Sequence, residues 1–318
     1  ENLEIINTVR SMVMDKDLVE PYGCDEAWLD VTDSAILKGD GRKIAEEISW
    51  RVKKELGITV SIGISWNKIF AKLGSDYKKP DGITAFSKGN YKELLWRLPA
   101  ADLLYVGRST RKTLDRYGIK TIGELALSDP EFLERLFGKM GLVLYSFANG
   151  WDDSPVSSQG YEAPMKSIGN STTTPRDLVN NLDVQIVLMA LSESVAARLR
   201  KHGFKCKVVS ITIRDSGLFS FSRQKKLECP TDITNEIMAA ANALFIEHYN
   251  WQHPIRSLGI RAEKLVLADI PVQLDLFISE EQREKQEKMD QAVDEIRRRF
   301  GYFSIQKAFV YQDKALAS

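Results

Sequence analysis

The sequence predicts a multidomain α+β protein, on the strength of three observations. Apolar residues alternate as in β-strands in some segments and recur every three or four residues, as in helices, in others. A segment rich in Asp, Ser, Pro and Gly, residues 151–164, reads as a linker that divides the 318-residue chain. Beyond it the predicted order of elements is βαββαβ, which gives a four-stranded sheet with two helices on one face.

The composition is typical of an intracellular globular protein. The chain is 43% hydrophobic and 28% charged, and its formal net charge is zero. No apolar stretch approaches the length of a transmembrane helix, so we expect no membrane association and a cytoplasmic location. Three widely spaced cysteines argue against disulfides and zinc sites. Residues 165–270 carry 14 Lys and Arg against 10 Asp and Glu, a surplus of the sign that phosphate binding requires.

The first predicted element is a helix over residues 1–20, whose apolar residues share one face. Residues of opposite strand faces then alternate in a run that starts with Asp25 and Glu26, and this alternation predicts a strand. Adjacent carboxylates at the mouth of a strand suit Mg²⁺, because this ion prefers hard oxygen ligands. Both can reach one metal site only if the backbone twists or bulges near Gly23. Taken alone, an Asp-Glu pair is more often a solvated surface turn.

A buried strand and a basic helix are predicted next. Ile58–Ser65 is β-branched and largely apolar, which favours a strand, and Asn67–Tyr77 has the pattern of a helix. Lys68 and Lys72 would share one face of that helix. Lys79 would lie in the loop beyond it, where an ammonium group can meet a triphosphate as a point charge. The alternative is an ordinary solvated basic face.

The stretch from Gly63 to Gly82 resembles the signature of Y-family translesion DNA polymerases of the ImpB/MucB/SamB type. It follows the Asp-Glu pair, as it does in that family, and eleven of its twenty positions carry the match. They are Gly63, Ser65, Asn67, Lys68, Ala71, Lys72, Ser75, Asp76, Lys79, Pro80 and Gly82. The resemblance implies that residues 1–98 form a polymerase palm with a site for metal-dependent nucleotidyl transfer.

The resemblance also implies a role for each site residue. Asp25 would bridge two catalytic Mg²⁺ ions, and Glu26 would bind the ion that activates the primer 3′ hydroxyl. Lys79 would contact the triphosphate of the incoming deoxynucleotide, and Asp76 would line the same pocket. Two ions suit this chemistry because one lowers the pKa of the attacking hydroxyl and the other stabilises charge on the leaving pyrophosphate.

Two departures from the family pattern affect these expectations. Gly23 replaces the Ser that is usual at its position, which loosens the backbone but removes no metal ligand. Family members also begin with a further metal-binding Asp and a fingers subdomain, which no segment of this chain matches. We therefore expect the carboxyl-terminal portion of a polymerase, with a partial palm, that is inactive by itself.

Residues 99–150 resemble the small helical thumb of the family. A glycine turn and helix start at Gly107, Ser109 and Thr110 resemble its helix-hairpin-helix, in which backbone amides bind DNA phosphate without reading bases. Tyr105 stands where the motif commonly has its first Gly, which predicts a distorted hairpin or a weaker contact. The alternative is a plain helical subdomain.

Residues 165–270 resemble the little finger domain of the family, whose open sheet face lies along DNA. Strands are predicted at about 166–174, 207–214, 218–227 and 255–266, and helices at about 182–202 and 232–249. Six side chains are expected to reach phosphates from the open face. They are Lys166, Asn170, Ser171, Thr173, Arg223 and Arg261.

Residues 271–318 carry a second motif and a helical tail. The pentapeptide Gln273-Leu274-Asp275-Leu276-Phe277 matches the peptide by which bacterial polymerases bind the sliding clamp. Gln can hydrogen-bond to the rim of a groove while the apolar side chains fill its pocket. The alternative is a connector buried on its own domain. A docked helix is predicted next, with an apolar stripe formed by Met289, Val293, Ile296 and Phe300.

The leading hypothesis is error-prone, template-directed DNA synthesis past lesions in a bacterial damage response. Its partners would be primer-template DNA, deoxynucleoside triphosphates and the sliding clamp. A second hypothesis is a non-catalytic protein that binds DNA and the clamp. A third is a degenerate, inactive relative of the polymerases, marked by Gly23 and Tyr105. Activity of the complete reading frame would separate the first hypothesis from the other two.

Overall fold

The computed structural model describes residues 18–32, 34, 36–158, 164–269, 280–313 and 315–316. The chain forms two compact units, of which unit 1 ends at Glu162 and unit 2 begins at Ala163. Each unit has its own hydrophobic core. Within the described ranges, none of the helices combines the length and the apolar character that crossing a bilayer needs.

Unit 1 contains a two-stranded hairpin. β1 (Leu18–Tyr22) pairs antiparallel with β2 (Glu26–Asp30). The helix predicted over residues 1–20 is therefore wrong at residues 18–20, and residues 1–17 lie outside the described residues. Pairing with β2 overrides the helical pattern because tertiary context outweighs a weak local helix propensity.

Helices α1 and α2 support this hairpin. α1 (Gly41–Leu56) begins at Asp40, whose side chain accepts hydrogen bonds from two backbone amides. α2 (Lys68–Tyr77) agrees with the predicted helix and begins at Asn67, whose side chain accepts a hydrogen bond from a backbone amide of the first turn. Buried side chains of α1 pack against the partly buried Leu29 of β2.

Two short parallel strands lie on either side of α2 in the chain. β3 (Ile62–Ile64) pairs with β4 (Ile83–Ala85). The strand predicted over Ile58–Ser65 is thus reduced to three residues. The reason is that β4, which supplies its hydrogen-bond partners, is itself three residues long.

Five short helices follow in unit 1, and the last four lie within residues 99–150, where the sequence predicts a helical region. They are α3 (Tyr91–Leu95), α4 (Arg108–Arg116), α5 (Ile122–Ala126), α6 (Pro130–Phe137) and α7 (Lys139–Ala148). Thr121 and Glu124 form a capping box at the start of α5. Buried residues of these helices share one core with Phe70 of α2, so the helical region and α2 are packed together.

Unit 2 has the element order βαββαβ, as predicted. The elements are β5 (Ser167–Leu178), α8 (Asn181–Lys201), β6 (Phe204–Asp215), β7 (Ser220–Thr231), α9 (Thr234–His248) and β8 (Ile255–Leu267). The strands form an antiparallel sheet in the order β5-β8-β6-β7. Side chains of α8 and α9 share one core with Val209, Ile211 and Ile213 of β6, so both helices cover the same face.

Helix α10 (Glu280–Phe300) docks on unit 2 through its charged side. Arg200 of α8 lies 3.2 Å from Asp290 and 2.6 Å from Asp294, and Arg283 lies 2.8 Å from Glu236 of α9. Docking is confirmed, but the apolar stripe is not the docking face, because Asp290 and Asp294 meet arginine from the neighbouring face of the helix. Three members of the stripe are exposed, namely Met289, Ile296 and Phe300.

The residues after α10 also belong to the core of unit 2. Gly301 ends the helix with a φ of +90°. Val310 is 5% exposed and Leu316 is 3% exposed, and both lie in the core cluster with α8, α9 and the sheet. The tail is therefore part of the folded unit.

Candidate active site

The predicted catalytic pair lies at the tip of the β1–β2 hairpin. Gly23, Cys24 and Asp25 form the turn, and Glu26 is the first residue of β2. Gly23 has a φ of +69°, a left-handed conformation that favours glycine. Because Asp25 lies in the turn, the alternation of a strand does not force the two carboxylates onto opposite faces. The backbone thus changes direction at Gly23, as a shared site requires.

A row of alternating charges connects the hairpin with α2. Lys72 Nζ lies 3.0 Å from Glu26 Oε1 and 2.6 Å from Asp76 Oδ2. Lys79 Nζ lies 2.6 Å from Asp76 Oδ1. Three of the predicted site residues, Glu26, Asp76 and Lys79, are therefore joined through Lys72. Asp25 is exposed at the turn, where the Cys24 thiol lies 3.8 Å from its carboxylate.

The ion pairs outweigh burial at both central groups of this row. Partial burial acts to lower the pKa of Lys72, but hydrogen bonds with Asp76 and Glu26 raise that pKa above its ordinary value. Partial burial likewise acts to raise the pKa of Asp76, but the two lysines lower it below its ordinary value. Both groups are consequently charged at neutral pH.

Two groups in this region were missed by sequence reasoning as site residues. The sequence predicts that Lys72 shares a helix face with Lys68 but does not mark it as a site residue. Its spacing of four residues from Asp76 is the signal that could have predicted their ion pair. Asp102 lies in a short 3₁₀ turn outside every motif. Burial, and next the negative charge of Asp76, raise the pKa of Asp102. A third carboxyl group therefore lies within electrostatic range of the row, with no sequence signal to mark it.

The donor atoms at the hairpin tip suit a divalent metal ion. Asp25 and Glu26 offer carboxylate oxygens, and Glu26 already has a cationic neighbour in Lys72. Among the described residues, no group of three or more Asp, Glu, His or Cys side chains is placed to hold an ion. Mg²⁺ is commonly bound by one or two carboxylates together with water and substrate phosphates. The two carboxylates therefore fit this ion in kind and in number.

Several residues of the signature build the scaffold rather than the row of charges. A Cβ atom at Gly63 would lie 1.8 Å from the carbonyl oxygen of Ala71, so β3 and α2 approach closely because this residue is glycine. Asn67 caps α2 and also donates a hydrogen bond to the carbonyl oxygen of Gly150 at 2.9 Å. The signature thus holds α2 in place as well as supplying charged groups.

The predicted phosphate-binding turn lies at the start of α4. Gly107 is the N-cap residue, and no side chain caps the helix there. Ser109 and Thr110 lie in the first turn, whose amides have no intrahelical acceptor. Tyr105 is 56% exposed and has a φ of +70°, a conformation in which glycine is favoured. A glycine would adopt this conformation without strain, whereas Tyr105 is strained in it. The distorted hairpin or weaker phosphate contact stays a prediction.

We expect Tyr105→Gly to be more stable than Tyr105→Ala by about 1 kcal/mol, because a left-handed residue with a Cβ is strained by roughly that amount. Both variants lose the ring contact with Phe147, so the difference between them isolates the backbone term. Chemical denaturation followed by tryptophan fluorescence measures it. Equal stability of the two variants would mean that Tyr105 is not left-handed in solution.

Strand register places the side chains predicted to bind DNA on two different faces of the sheet. Directly paired residues on antiparallel strands point to the same face. Asn170 pairs with Ile260, and Arg223 pairs with Ile211, and both isoleucines lie in the helix-covered core. The Asn170 amide also donates to Ser194 of α8 at 3.1 Å. The open-face placement predicted for Asn170 and Arg223 is therefore wrong.

The open face carries the other predicted strand residues. Arg261 pairs with Gly169, and Ser171 and Thr173 follow on the same face of β5. Lys166 is exposed and directly precedes β5. The strand register places further polar side chains on this face. The sequence did not predict them, because its pattern does not show which face of a strand is open. They are Arg214, Gln224 and Lys226.

The predicted clamp-binding pentapeptide, Gln273–Phe277, lies outside the described residues. The chain is described on both sides of it, since β8 ends at Leu267 and α10 begins at Glu280. The motif therefore stays a prediction from sequence.

Two family models match this chain, one in unit 1 and one in unit 2. Residues 1–76 match the model of the impB/mucB/samB family, and residues 165–276 match the model of the C-terminal domain of that family. The acidic hairpin and most of α2 lie in the first match, and the sheet of unit 2 lies in the second.

Curated relatives extend the similarity over nearly the whole chain. A DNA polymerase IV of Acetivibrio thermocellus is 50% identical over 300 residues, which cover 94% of this chain and 75% of the relative. A DNA polymerase IV of Moorella thermoacetica is 35% identical over 291 residues, covering 92% of this chain and 72% of the relative. DNA polymerase IV 1 of Bacillus subtilis is 38% identical over 293 residues, covering 92% and 70%.

Solved structures show the same fold. A Y-family DNA polymerase chimera, Dbh-Dpo4(243-245)-Dbh, superposes with a TM-score of 0.69 at 21% identity, covering 84% of this chain and 75% of the chimera. An insertion ternary complex of Dbh DNA polymerase superposes with a TM-score of 0.50 at 20% identity and the same coverage.

Proposed function

The chain belongs to the impB/mucB/samB family of Y-family DNA polymerases, and we propose that the hairpin tip at Asp25 and Glu26 is its catalytic centre. It is a DNA-directed DNA polymerase of the translesion class, which copies templates past lesions. The observation that supports the site is the row of ion pairs that joins Glu26 to Asp76 and Lys79 through Lys72. This row connects the acidic turn with the helix of the family signature.

Polymerases of this family use divalent metal ions, and we propose that two Mg²⁺ ions serve this protein. Asp25 would take part in holding both ions, and Glu26 would hold the one at the primer terminus. Bound there, such ions lower the pKa of the attacking hydroxyl and stabilise charge on the leaving pyrophosphate. Glu26 lies beside the Lys72 ammonium, so binding of a metal ion to Glu26 would compete with that ion pair.

Lys79 is proposed to contact the triphosphate of the incoming deoxynucleotide, in a pocket that Asp76 lines. Lys79 lies in the loop after α2 and is half exposed, with 54% of its side chain accessible, so its ammonium can reach a ligand. Asp76 holds that ammonium at 2.6 Å. A triphosphate that binds Lys79 has to replace this exposed ion pair, which is an exchange of low cost because exposed pairs contribute at most about 1 kcal/mol.

Primer-template DNA is the proposed macromolecular substrate, in the bacterial cytoplasm. Amides around Gly107, Ser109 and Thr110 would bind phosphate at the start of α4. The open face of the unit 2 sheet would contact the backbone through Arg261, Arg214 and other polar side chains. The related Dbh polymerase is named as an insertion ternary complex, which supports DNA and a nucleotide as ligands of this chain as well.

Primer extension tests the proposed function. The complete reading frame that contains this sequence should extend a primer on intact and on damaged templates with Mg²⁺, and chelation of the metal should stop extension. Failure to extend any primer, although the protein binds primer-template DNA, would favour a non-catalytic DNA-binding protein instead.

The bacterial sliding clamp is the proposed protein partner. Combined replacement of Gln273, Leu274 and Phe277 by Ala should weaken clamp binding by at least about 100-fold, because anchor side chains in a pocket dominate such interfaces. Isothermal calorimetry measures the loss. Asp275→Ala is the matched control, since no pocket contact is predicted for Asp275, and it should bind like the unmodified chain. Unchanged affinity of the triple variant would contradict the motif assignment.

A further inference from the structure

Lys72 is the least exposed member of the row of charges, with 18% of its side chain accessible. Its ammonium group lies 3.0 Å from Glu26 Oε1 and 2.6 Å from Asp76 Oδ2. The two carboxylates belong to different elements, because Glu26 opens β2 and Asp76 lies in the last turn of α2. A lysine ammonium has three N–H donors. Lys72 can therefore hold both carboxylates at once.

Asp76 is shared in the same way, with the opposite charge. Its Oδ2 atom faces the Lys72 ammonium and its Oδ1 atom faces the Lys79 ammonium, each at 2.6 Å. Lys72 and Asp76, the two central groups of the row, thus divide their charge between two partners each. An ammonium that moves toward one carboxylate moves away from the other, and Coulomb attraction falls with distance. Strengthening one contact of the row therefore weakens the next one.

The two ends of the row are the groups that the proposed function uses. When Glu26 takes a divalent cation, Lys72 loses one acceptor and is repelled by the new charge. Asp76 then pairs more closely with Lys72 and holds Lys79 less firmly. The reverse also follows. When Lys79 turns to a triphosphate, Asp76 draws the Lys72 ammonium toward itself, which leaves Glu26 free for a cation.

We propose that Lys72 and Asp76 form an electrostatic interlock between the two binding sites at the ends of the row. In the protein alone each site is closed by an ion pair, and filling one site weakens the ion pair that closes the other. Coupling of this kind acts equally in both directions. Cation and triphosphate are therefore bound together more readily than either one alone. The identity of the two ligands rests on the proposed function, and Lys72 is a positioning residue because it acts through Glu26 and Asp76.

Calorimetric titration with Mn²⁺ tests the cation side of the interlock, in the complete reading frame and without DNA or nucleotide. Mn²⁺ takes the same carboxylate and water ligands as Mg²⁺. The binding that Asp25→Asn removes is the binding at the hairpin tip. Lys72→Met should raise the Mn²⁺ affinity of this site about fivefold, the factor that corresponds to the upper range for an exposed ion pair. Lys72→Arg keeps the charge and should bind Mn²⁺ like the unmodified protein.

A double-mutant cycle separates the interlock from simple attraction through space. Asp76→Asn should lower the Mn²⁺ affinity about fivefold, because Lys72 then pairs with Glu26 alone. In a Lys72→Met background the same change should alter the affinity less than about twofold, since the coupling passes through Lys72. Attraction through space alone would give equal factors in both backgrounds.

Lys79→Met tests the same coupling at the exposed end of the row. Lys79 is half exposed, so its replacement should leave the fold intact. The change leaves Asp76 to Lys72 alone and should raise the Mn²⁺ affinity about twofold, but only when Lys72 is present. Lys78→Met is the matched control, because it removes the same charge from the neighbouring exposed residue, which lies outside the row. It should leave the affinity unchanged.

Titration with inorganic tripolyphosphate in the presence of a chelator tests the other side of the interlock, and it needs neither a metal ion nor a primer. The binding that Lys79→Met removes is the binding that counts. Glu26→Gln should raise this affinity about fivefold, because Lys72 then pairs mainly with Asp76. The gain should disappear in a Lys72→Met background. Asp30→Asn makes the same kind of change at the end of β2 and should leave the affinity unchanged.

The outcomes distinguish the interlock from the proposed function. Loss of the Glu26→Gln effect in the Lys72→Met background supports the interlock even if no primer is extended, and in that case only the proposed function fails. Equal factors for Asp76→Asn with and without Lys72, alongside normal extension by the unmodified protein, overturn the interlock and leave the polymerase assignment standing. An equal gain in Mn²⁺ affinity in Lys78→Met and Lys79→Met also overturns it, because that result would reflect net charge alone.

Discussion

Replacing Asp25 by Asn is expected to reduce primer extension by about 100- to 1,000-fold, the range found on removing a group that stabilises transition-state charge. The amide has nearly the same shape as the carboxylate but no negative charge with which to hold a divalent cation. Asp25 is exposed in the hairpin turn, so the fold should change by no more than about 0.5 kcal/mol. Single-turnover extension with Mg²⁺, in the complete reading frame, measures the effect.

The control for this variant lies on the same hairpin. Asp30→Asn makes the same chemical change at the end of β2, where the carboxylate accepts hydrogen bonds from Thr32 within the chain. We expect Asp30→Asn to retain extension, and both variants to bind primer-template DNA with unchanged affinity in fluorescence anisotropy. Extension by Asp25→Asn at the rate of Asp30→Asn would remove Asp25 from the catalytic centre.

Replacing Gly63 by Ala is expected to destabilise unit 1 by roughly 3 kcal/mol or more, the upper range for overpacking a well-packed site. The added Cβ would lie 1.8 Å from the Ala71 carbonyl oxygen and 2.5 Å from the Ser75 amide nitrogen, and neither backbone atom can move without shifting α2. Urea denaturation followed by tryptophan fluorescence measures the loss. Five of the six tryptophans lie in unit 1, so the signal reports mainly on that unit.

Gly89→Ala is the matched control for this substitution. The nearest atom to a Cβ at Gly89 is the Ser87 hydroxyl oxygen at 3.8 Å, which is ordinary van der Waals contact. We expect its free energy of unfolding to stay within about 0.5 kcal/mol of the unmodified chain. If Gly63→Ala unfolded at the same urea concentration as Gly89→Ala, β3 and α2 would not be in the close contact described.

The Asp25 and Gly63 variants test two different kinds of residue. Asp25 belongs to the hairpin, and Gly63 belongs to the family signature. Asp25 is exposed and makes few contacts that the fold needs, so its value lies in its charge. Gly63 has no functional group, and its value lies in the space that it leaves for α2. Helix α2 in turn supplies Lys72 and Asp76 to the row of charges. A shift of α2 would therefore change the site even though no charged residue had been replaced.

Local patterns in the sequence predicted much of this molecule. The helix over Asn67–Tyr77 was predicted from its period and forms from Lys68 with Asn67 as its cap, because both signals lie within a few residues. The βαββαβ order of unit 2 was also predicted, because each of its helices and strands has its own local apolar pattern in the sequence. The resemblance predicted that Asp25 and Glu26 share a site with residues of α2, and the ion pair between Lys72 and Glu26 specifies how Glu26 meets that helix.

Side-chain direction was the part that local patterns did not predict. Asn170 and Arg223 look like surface residues in the sequence, but strand register turns both toward the helix-covered face. The apolar stripe of α10 likewise predicted the wrong docking face. The docking face of α10 instead carries Asp290 and Asp294. These two carboxylates pair with Arg200, which lies 90 and 94 residues away from them in the chain.

The sequence by itself determined the family, the order of the elements in unit 2 and the chemical identity of the site residues, because each depends on residues close together in the chain. Only the tertiary structure decided which face of a strand or helix is covered and which distant groups meet. The Ser157 amide donates a hydrogen bond to the Glu20 carboxylate, which lies 137 positions away in the chain. Such a contact forms when packing of many elements brings two groups together, so no local pattern can encode it.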